Sequence, residues 1–203
     1  MQTRTEQRRA ASTHAPAQRE PRTRRRDAED NRARILSAAK ELFATEGFEI
    51  ALDAVARRAG VGRATLYRNF IDRDALASAI FEDNLRALEE LSSKVQREPD
   101  GFERVVRAVI EQQIECHALV PALMHGSSAP ELAALATRMT KLLRAPLATA
   151  QEHERVRADL RTSDALTVIA MLASSFIASE SKRERKSRAK RAFELVLTGL
   201  KPR

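Results

Sequence analysis

Residues 52–70 read LDAVARRAGVGRATLYRNF, and this stretch decides the fold. Its first segment carries four apolar residues at the spacing of one helix face: Leu52, Val55, Ala56 and Ala59. Gly60 follows directly, where a helix ends most easily in the left-handed conformation because glycine has no Cβ. The second segment, residues 63–69, places Leu66 and Phe70 on one face and polar side chains around the rest. The two segments predict a helix-turn-helix, the unit whose second helix enters the major groove of DNA.

The charge of this stretch fits either a DNA-facing helix-turn-helix or an ordinary αα-hairpin. Between Ala54 and Ile71 it contains no acid and four arginines: Arg57, Arg58, Arg63 and Arg68. A surface that faces DNA phosphates requires such a balance. An ordinary αα-hairpin with a solvated basic face has the same spacing, so spacing alone leaves both interpretations open.

Three blocks of sequence in a wider window favour the first interpretation. They are ILSAAKELFATEGFE at 35–49, VARRAGVGRATLYRNF at 55–70 and DRDALASAIFEDNL at 72–85. In order and spacing, residues 31–91 resemble the DNA-binding domain of the TetR family, the tetracycline-repressor-like regulators. The resemblance implies a dimeric, ligand-responsive transcription factor. One departure is that Ile50 and Ala51 stand where the family usually has a Ser or Thr N-cap, so the second helix is expected to lack this cap.

Composition favours helix throughout the 203 residues. The chain has six glycines, seven prolines and no Trp, with aromatic residues at 4%. The formal net charge of +8 suits a polyanionic partner; a membrane surface is the competing interpretation, but no segment combines a bulky apolar face with a lysine-rich one. The single cysteine, Cys116, excludes an internal disulfide and fits a reducing cytoplasm.

Membrane and secretion signals are not found in the sequence. Residues 1–30 contain no Leu, Ile, Val or Phe, so no signal-peptide core is present. The longest apolar run, residues 166–178, is shorter than the roughly 20 residues that a spanning helix needs. We therefore expect a soluble cytoplasmic protein with no membrane partner.

We predict an all-α fold in three regions: a disordered basic arm at 1–29, a three-helix helix-turn-helix domain at 30–75, and a larger helical ligand-binding and dimerisation domain at 76–203. The arm either reaches DNA phosphates or a minor groove, or is a solvated leader. The first helix of the helix-turn-helix domain is expected to begin at Asp30. Pro146 lies inside a helical pattern and predicts either a kink or two helices.

The end of the chain is predicted as two helices separated by a basic run. Ser163 is expected to cap a helix over residues 164–179. Residues 182–191 are interpreted as a solvated loop, and the last helix is placed at 187–200. In the TetR family the corresponding two helices pair with their copies, so the resemblance implies a homodimer through them. Four apolar residues are expected on faces that their own core cannot cover: Phe176, Phe193, Val196 and Leu200.

Seven residues are predicted to contact double-stranded DNA: Arg57, Arg63, Thr65, Tyr67, Arg68, Asn69 and Arg73. Arg63 and Thr65 lie early in the recognition helix and are expected at base edges. Three residues are expected at phosphates: Tyr67, Asn69 and Arg73. Arg68 fits either role.

In the TetR family the effector lies within the second domain, so the resemblance also implies a small-molecule pocket there. Nine residues are candidates to line it: Val106, Gln113, Cys116, His117, Met124, Met139, Leu143, Leu166 and Ala170. Each has ordinary core packing as its alternative. The second domain has no Trp and no Tyr, which argues against an aromatic cage for a cation and for an apolar or weakly polar effector.

No catalytic residue, metal ligand or cofactor is predicted. Cys116 and His117 are neighbours and point about 100° apart on a helix, so they do not form a nucleophile–base pair. A scattered Cys-His-His metal site is the remaining alternative. No glycine-rich phosphate loop and no GxSxG motif is present.

These features predict a DNA-binding transcriptional regulator, a repressor released from a palindromic operator by a small apolar effector. The alternative is an effector-independent, dimeric architectural DNA-binding protein whose second domain only dimerises. A cavity in the second domain favours the first, and a filled core favours the second.

Overall fold

The computed structural model describes residues 21–119, 129–176, 179 and 181–202, and this part of the chain contains helices and no strands. The elements are α1 (Pro21–Glu46), α2 (Leu52–Ala59), α3 (Arg63–Asn69), α4 (Arg73–Val95), α5 (Gly101–Glu115), a 3-10 helix (His117–Leu119), α6 (Ala129–Glu152), α7 (Thr162–Ser174) and α8 (Lys182–Gly199). The predicted all-α fold class is confirmed.

Helix α1 begins well before its predicted start at Asp30. It starts at Pro21, a residue that suits the first helical position because it has no N–H to leave unpaired. The residues that follow are mostly good helix formers and include no further Gly or Pro before Gly47. The prediction of a disordered arm is therefore wrong for residues 21–29, while residues 1–20 lie outside the described residues.

The helix-turn-helix forms around a small core shared by the first four helices. Its largest fully buried side chains are Ile35, Phe43, Val55, Leu66, Leu76 and Ile80. Gly60 ends α2 with φ 64° and ψ 38°, which confirms the left-handed turn. Ala51 precedes α2 in an extended conformation without a side-chain cap, as the sequence predicts.

Helix α4 belongs to two hydrophobic cores. Leu76 and Ile80, near its start, pack in the core of the helix-turn-helix. Leu85, Leu88 and Val95 pack in the larger core of the second domain, which α5 to α8 complete. A helix of 23 residues is about 34 Å long, so α4 is a rigid connection between the two cores.

Helix α6 continues through Pro146 as one helix. Proline has no N–H, so the carbonyl of Leu142, four residues earlier, lacks its usual helical partner. The hydroxyl of Ser92 in α4 donates to this carbonyl at 2.5 Å, and both groups are buried. The hydrogen bond satisfies the unpaired carbonyl and joins α6 to α4.

The boundaries of the last two helices differ from the prediction. Helix α7 begins at Thr162, and the carboxylate of Asp164 accepts from the N–H of Arg161 at 2.9 Å, so Ser163 is not its cap. Helix α8 begins at Lys182 because the hydroxyl of Ser181 accepts from the N–H of Glu184 at 3.2 Å. Residues 182–191 are therefore helical, and their interpretation as a loop is wrong.

The faces of these two helices also differ from the prediction. Phe176 and Phe193, expected at a subunit interface, are 2% and 3% exposed inside the core of their own chain. The large apolar side chains that do reach solvent are Met171, 60% exposed, and Leu195, 57% exposed. Within the described residues, no helix is long and apolar enough to cross a membrane.

Candidate nucleic-acid interface and effector cavity

The recognition helix α3 is held by one apolar side chain and presents the rest of its surface outward. Leu66 is fully buried in the helix-turn-helix core. Arg63, Tyr67 and Arg68 are exposed. This arrangement presents polar and cationic groups on an outward face, the layout that readout of a major groove requires.

Arg63 is paired with an acid that lies just outside the acid-free stretch. Its Nε lies 2.9 Å from Oδ1 of Asp53 in the first turn of α2, and the Arg63 side chain remains 70% exposed. Exposed ion pairs contribute at most about 1 kcal/mol, so this pair places little constraint on Arg63. Arg63 is free to exchange Asp53 for a base edge or a phosphate.

Three further predicted DNA contacts are linked along α3. Nη2 of Arg68 donates to the hydroxyl of Thr65 at 3.1 Å. The Asn69 amide donates to the Thr65 carbonyl at 2.8 Å, which leaves its second N–H for another acceptor. Arg57 is exposed near the end of α2. Five of the seven predicted residues therefore lie on the recognition helix, and Arg57 lies on α2.

Arg73 is the seventh, and its guanidinium contacts the loop before α2. It lies 2.5 Å from a carboxylate oxygen of Glu49 and donates to the carbonyls of Glu49 and Ile50, each at 3.1 Å. It also lies over the ring of Phe48, 5.4 Å from the centroid. These contacts fasten the start of α4 to the loop, so we interpret Arg73 as a positioning residue, in place of the predicted phosphate contact.

Arg34 is a positioning residue that the sequence does not predict. Its Nη2 donates to the carbonyls of Ala59 and Gly60 at 2.6 and 2.8 Å, and so α1 holds the turn between α2 and α3. The two partners are 25 and 26 residues away, and no local pattern signals such a contact.

A cavity of about 250 Å³ lies between α4, α5 and α6. Most of its lining is apolar: Ala77, Ile80, Phe81, Leu85, Leu88, Val109, Leu119, Leu135 and Met139. Its polar lining is Asn84, Gln112, Gln113 and Cys116. The cavity is small enough for only a compact molecule and suits one that is mainly apolar.

The polar groups of the cavity are partly satisfied by one another. The Asn84 amide donates to Sγ of Cys116 at 3.1 Å, and Gln112 donates to the Asn84 carbonyl at 3.1 Å. Burial raises the pKa of the Cys116 thiol, so the thiol stays neutral. Oε1 of Gln113 is buried and has no donor in the described part of the chain.

Arg138 joins two walls of the cavity. Its guanidinium donates to both oxygens of Glu89 at 2.8 and 2.9 Å and to Glu82 at 2.7 Å. Hydrogen bonds to Glu89 and Glu82 raise the pKa of Arg138, and the same contact with Arg138 lowers the pKa of Glu89. This network fixes α6 against α4 beside the cavity.

Only part of the predicted pocket lines this cavity. Gln113, Cys116 and Met139 do. Four predicted residues pack elsewhere or lie beside the cavity: Val106, His117, Leu143 and Leu166. Ala170 lies on the exposed side of α7 and has no place in the cavity, and Met124 is outside the described residues. The inner face of α4 is not among the predicted pocket residues, because its apolar stripe looks the same in sequence whether it meets a void or a packed core.

These features define a class of protein: a helix-turn-helix DNA-binding domain joined through a shared helix to a helical domain with an apolar cavity. Residues 35–80 match the family model described as bacterial regulatory proteins, tetR family. Residues 99–202 match the C-terminal domain of SbtR-like transcriptional regulators. The chain belongs to the tetR family of transcriptional regulators, whose members bind DNA as dimers and often bind small-molecule effectors.

Individual relatives agree with this assignment. The transcriptional regulator UidR of Escherichia coli K12 is 27% identical over 146 residues, which cover 68% of this chain and 74% of UidR. The solved regulator SCO0520 of Streptomyces coelicolor is 27% identical with a TM-score of 0.69, and the match covers 84% of this chain and 98% of that one. A regulator from Mycobacterium vanbaalenii is 28% identical with a TM-score of 0.68, covering 87% and 98%.

Proposed function

We propose that this protein is a homodimeric repressor, released from a palindromic operator by a small, mainly apolar effector bound between α4, α5 and α6. The observation that carries the proposal is that Ala77 and Ile80 of α4 belong to the helix-turn-helix core and also line the cavity. A molecule in the cavity therefore touches two residues of the hydrophobic core that also contains Leu66 of the recognition helix.

The release follows from a difference in affinity. An effector shifts the protein away from DNA only if it binds the DNA-incompetent arrangement more tightly. A difference in effector affinity arises if the bound molecule displaces the first half of α4. Helix α4 then transmits the displacement to the helix-turn-helix core, which also contains Leu66 of α3. The unfilled space favours this proposal over an architectural protein without an effector, whose core has no need of a void.

The dimer is proposed to form through α7 and α8. Met171 on α7 and Leu195 on α8 are large, apolar and exposed, and such side chains are commonly buried against a partner. These two residues replace Phe176 and Phe193 as the expected interface. Two-fold pairing would set the recognition helices about one turn of DNA apart, roughly 34 Å.

Selection of bound sequences from random duplex DNA tests the DNA half of the proposal. We expect an inverted repeat with half-sites about one helical turn apart, because a two-fold dimer reads two-fold DNA. A single unrepeated site, or binding without sequence preference, would contradict it.

A variant that fills the cavity tests the effector half. Leu135→Phe adds a ring to the cavity lining and should keep operator binding while abolishing release by compounds that release the wild-type protein. Leu166→Phe is the control, because Leu166 packs on the larger core and does not line the cavity. The anisotropy of a labelled operator, in the presence of a library of small apolar compounds, measures operator binding and release for both variants. If the same compounds release the operator equally well from the wild-type protein and from Leu135→Phe, the effector binds elsewhere.

A further inference from the structure

A second concave site lies between α1, α5 and α8. It is an open groove of about 1110 Å³ with apolar residues on its floor and six basic residues: Lys40, Arg107, Lys182, Arg185, Lys186 and Lys190. Its acids are Glu41, Glu111 and Glu115. Nothing in the proposed function uses this groove.

Ion pairs account for most of the charge in the groove. Lys40 pairs with Asp83 at 2.8 Å, and Arg107 pairs with Glu103 at 2.8 Å. Lys182 and Lys186 both pair with Glu115, and Glu41 pairs with Arg58. Arg185 and Lys190 have no acidic partner in ion-pair range among the described residues. Because Lys182 and Lys186 share one carboxylate, the groove keeps three uncompensated positive charges, with Glu111 as the one remaining acid of its lining.

Arg185 is unusual because its cation is buried. Its side chain lines the groove, yet the residue is only 5% exposed. Nη1 donates to the carbonyl of Ser179 at 3.2 Å, while Nε is buried without an acceptor. A buried charge is costly unless it is paired and hydrogen-bonded, so this position calls for an anion.

The neighbours of Arg185 are unsatisfied as well. In the described part of the chain, five buried side-chain nitrogen or oxygen atoms lack a hydrogen-bond partner, and three of them belong to Arg185, Ser179 and His117. Burial and the nearby charge of Arg185 lower the pKa of His117. The Nε–H of Arg185 can only donate, so its missing partner is an acceptor.

We propose that this groove is a second ligand site, which shares only Asn84, Gln112 and Cys116 with the apolar cavity, and that it binds a small organic anion. The carboxylate or phosphate of the ligand accepts from Arg185, and Lys190 adds positive charge at the rim. The apolar body of the ligand lies against Ala108, Ile114 and Phe193 on the groove floor. Because α1 forms one wall, the bound anion ties the DNA-binding domain to α8. The inference goes beyond the proposed function and does not depend on it.

Calorimetry on the full chain tests the site with three probes: benzoate, phenyl phosphate and benzamide, the neutral analogue of benzoate. We expect saturable binding of at least one anion, and binding of benzamide at least about tenfold weaker, because it lacks the charge that Arg185 pairs with. The tighter of the two anions identifies the headgroup. Failure of both anions to bind, or equal binding of benzoate and benzamide, overturns the proposal.

Matched variants locate the bound probe. Arg185→Gln should weaken anion binding at least about tenfold. Arg188→Gln should leave it within about twofold, because it removes the same charge from an exposed position of α8 outside the groove. Leu135→Phe should also leave it unchanged. Equal affinity of Arg185→Gln and wild type, or loss of binding in Leu135→Phe, overturns the proposal.

A measurement on the wild-type protein covers the case in which Arg185→Gln does not fold. The ring resonances of His117 should shift with saturating anion and not with benzamide, and those of His153, which is exposed, should stay in place. Lys190→Gln, at the rim, should fold and weaken anion binding. An unshifted His117 together with full affinity in Lys190→Gln overturns the proposal.

Discussion

At the scale of single residues, the turn of the helix-turn-helix depends on Gly60 for two separate reasons. Its φ of 64° lies in the left-handed region, which costs other L-residues roughly 1–2 kcal/mol. A Cβ at this position would also lie 2.6 Å from Nη2 of Arg34, the atom that donates to the Gly60 carbonyl. The backbone conformation therefore favours glycine, and a Cβ would in addition displace the end of the Arg34 side chain from the Gly60 carbonyl.

We predict that Gly60→Ala lowers the free energy of unfolding by at least about 1–2 kcal/mol. Gly62→Ala is the matched control, because Gly62 has an extended conformation and a Cβ there would meet nothing within 4 Å. Urea denaturation measures both. A loss as large for Gly62→Ala as for Gly60→Ala would contradict the assignment of strain to Gly60.

Arg63 is the residue most directly available to read a base. We predict that Arg63→Ala weakens operator binding by about 1–3 kcal/mol and relaxes preference at one position per half-site. The free energy of unfolding should change little, because the pair with Asp53 is exposed. Binding measured over a set of single-base operator variants tests this. A uniform loss across all sequences would make Arg63 a phosphate contact.

At the scale of elements, α4 and α6 are joined by a hydrogen bond that Pro146 makes necessary. The carbonyl of Leu142 has no helical donor, and the hydroxyl of Ser92 supplies one. Removing this donor leaves a buried carbonyl unpaired, which costs roughly 1–3 kcal/mol.

We therefore predict that Ser92→Ala destabilises the protein by about 1–3 kcal/mol in the wild-type background. The cost should fall in a Pro146→Ala background, because the restored N–H can then pair with the Leu142 carbonyl. Ser93→Ala, at an exposed neighbouring position, is the control. Thermal unfolding of the four members of this cycle measures the coupling, and an equal cost of Ser92→Ala in both backgrounds would refute it.

The elements differ in how far the sequence predicts them. Helices α2 and α3 were predicted because apolar spacing and Gly60 are local signals. The start of α8 was missed because its first turns are solvated Arg and Lys, which have helix propensity but no apolar stripe. Phe193 was placed on the wrong face because the side of a helix that meets its own core depends on tertiary packing. The cavity and the Arg34 contact also depend on residues that are far apart in the sequence, so no local pattern predicts them.

At the scale of the whole molecule, the proposed dimer depends on α7 and α8. We predict that Leu195→Glu gives monomers at micromolar concentration that bind the operator poorly, because it places a charge in the expected interface. Ile71→Glu is the control for assembly, since Ile71 is 80% exposed but lies between α3 and α4. Sedimentation equilibrium gives the oligomeric state, and circular dichroism checks that both variants remain folded. A dimeric Leu195→Glu protein would place the interface elsewhere.

In the proposed mechanism, a molecule in the cavity moves the DNA-reading helices through α4. The most direct measurement is the distance between spin labels at Ser78→Cys, an exposed position of α4, on the two subunits of the dimer. Cys116 is half-buried and its pKa is raised, so the wild-type protein serves as the control for labelling at that thiol.

A compound that releases the operator should also shift this distance, and the same compound should leave the distance unchanged in a Leu135→Phe background. Release of the operator with an unchanged distance in the otherwise wild-type protein would contradict the proposed mechanism.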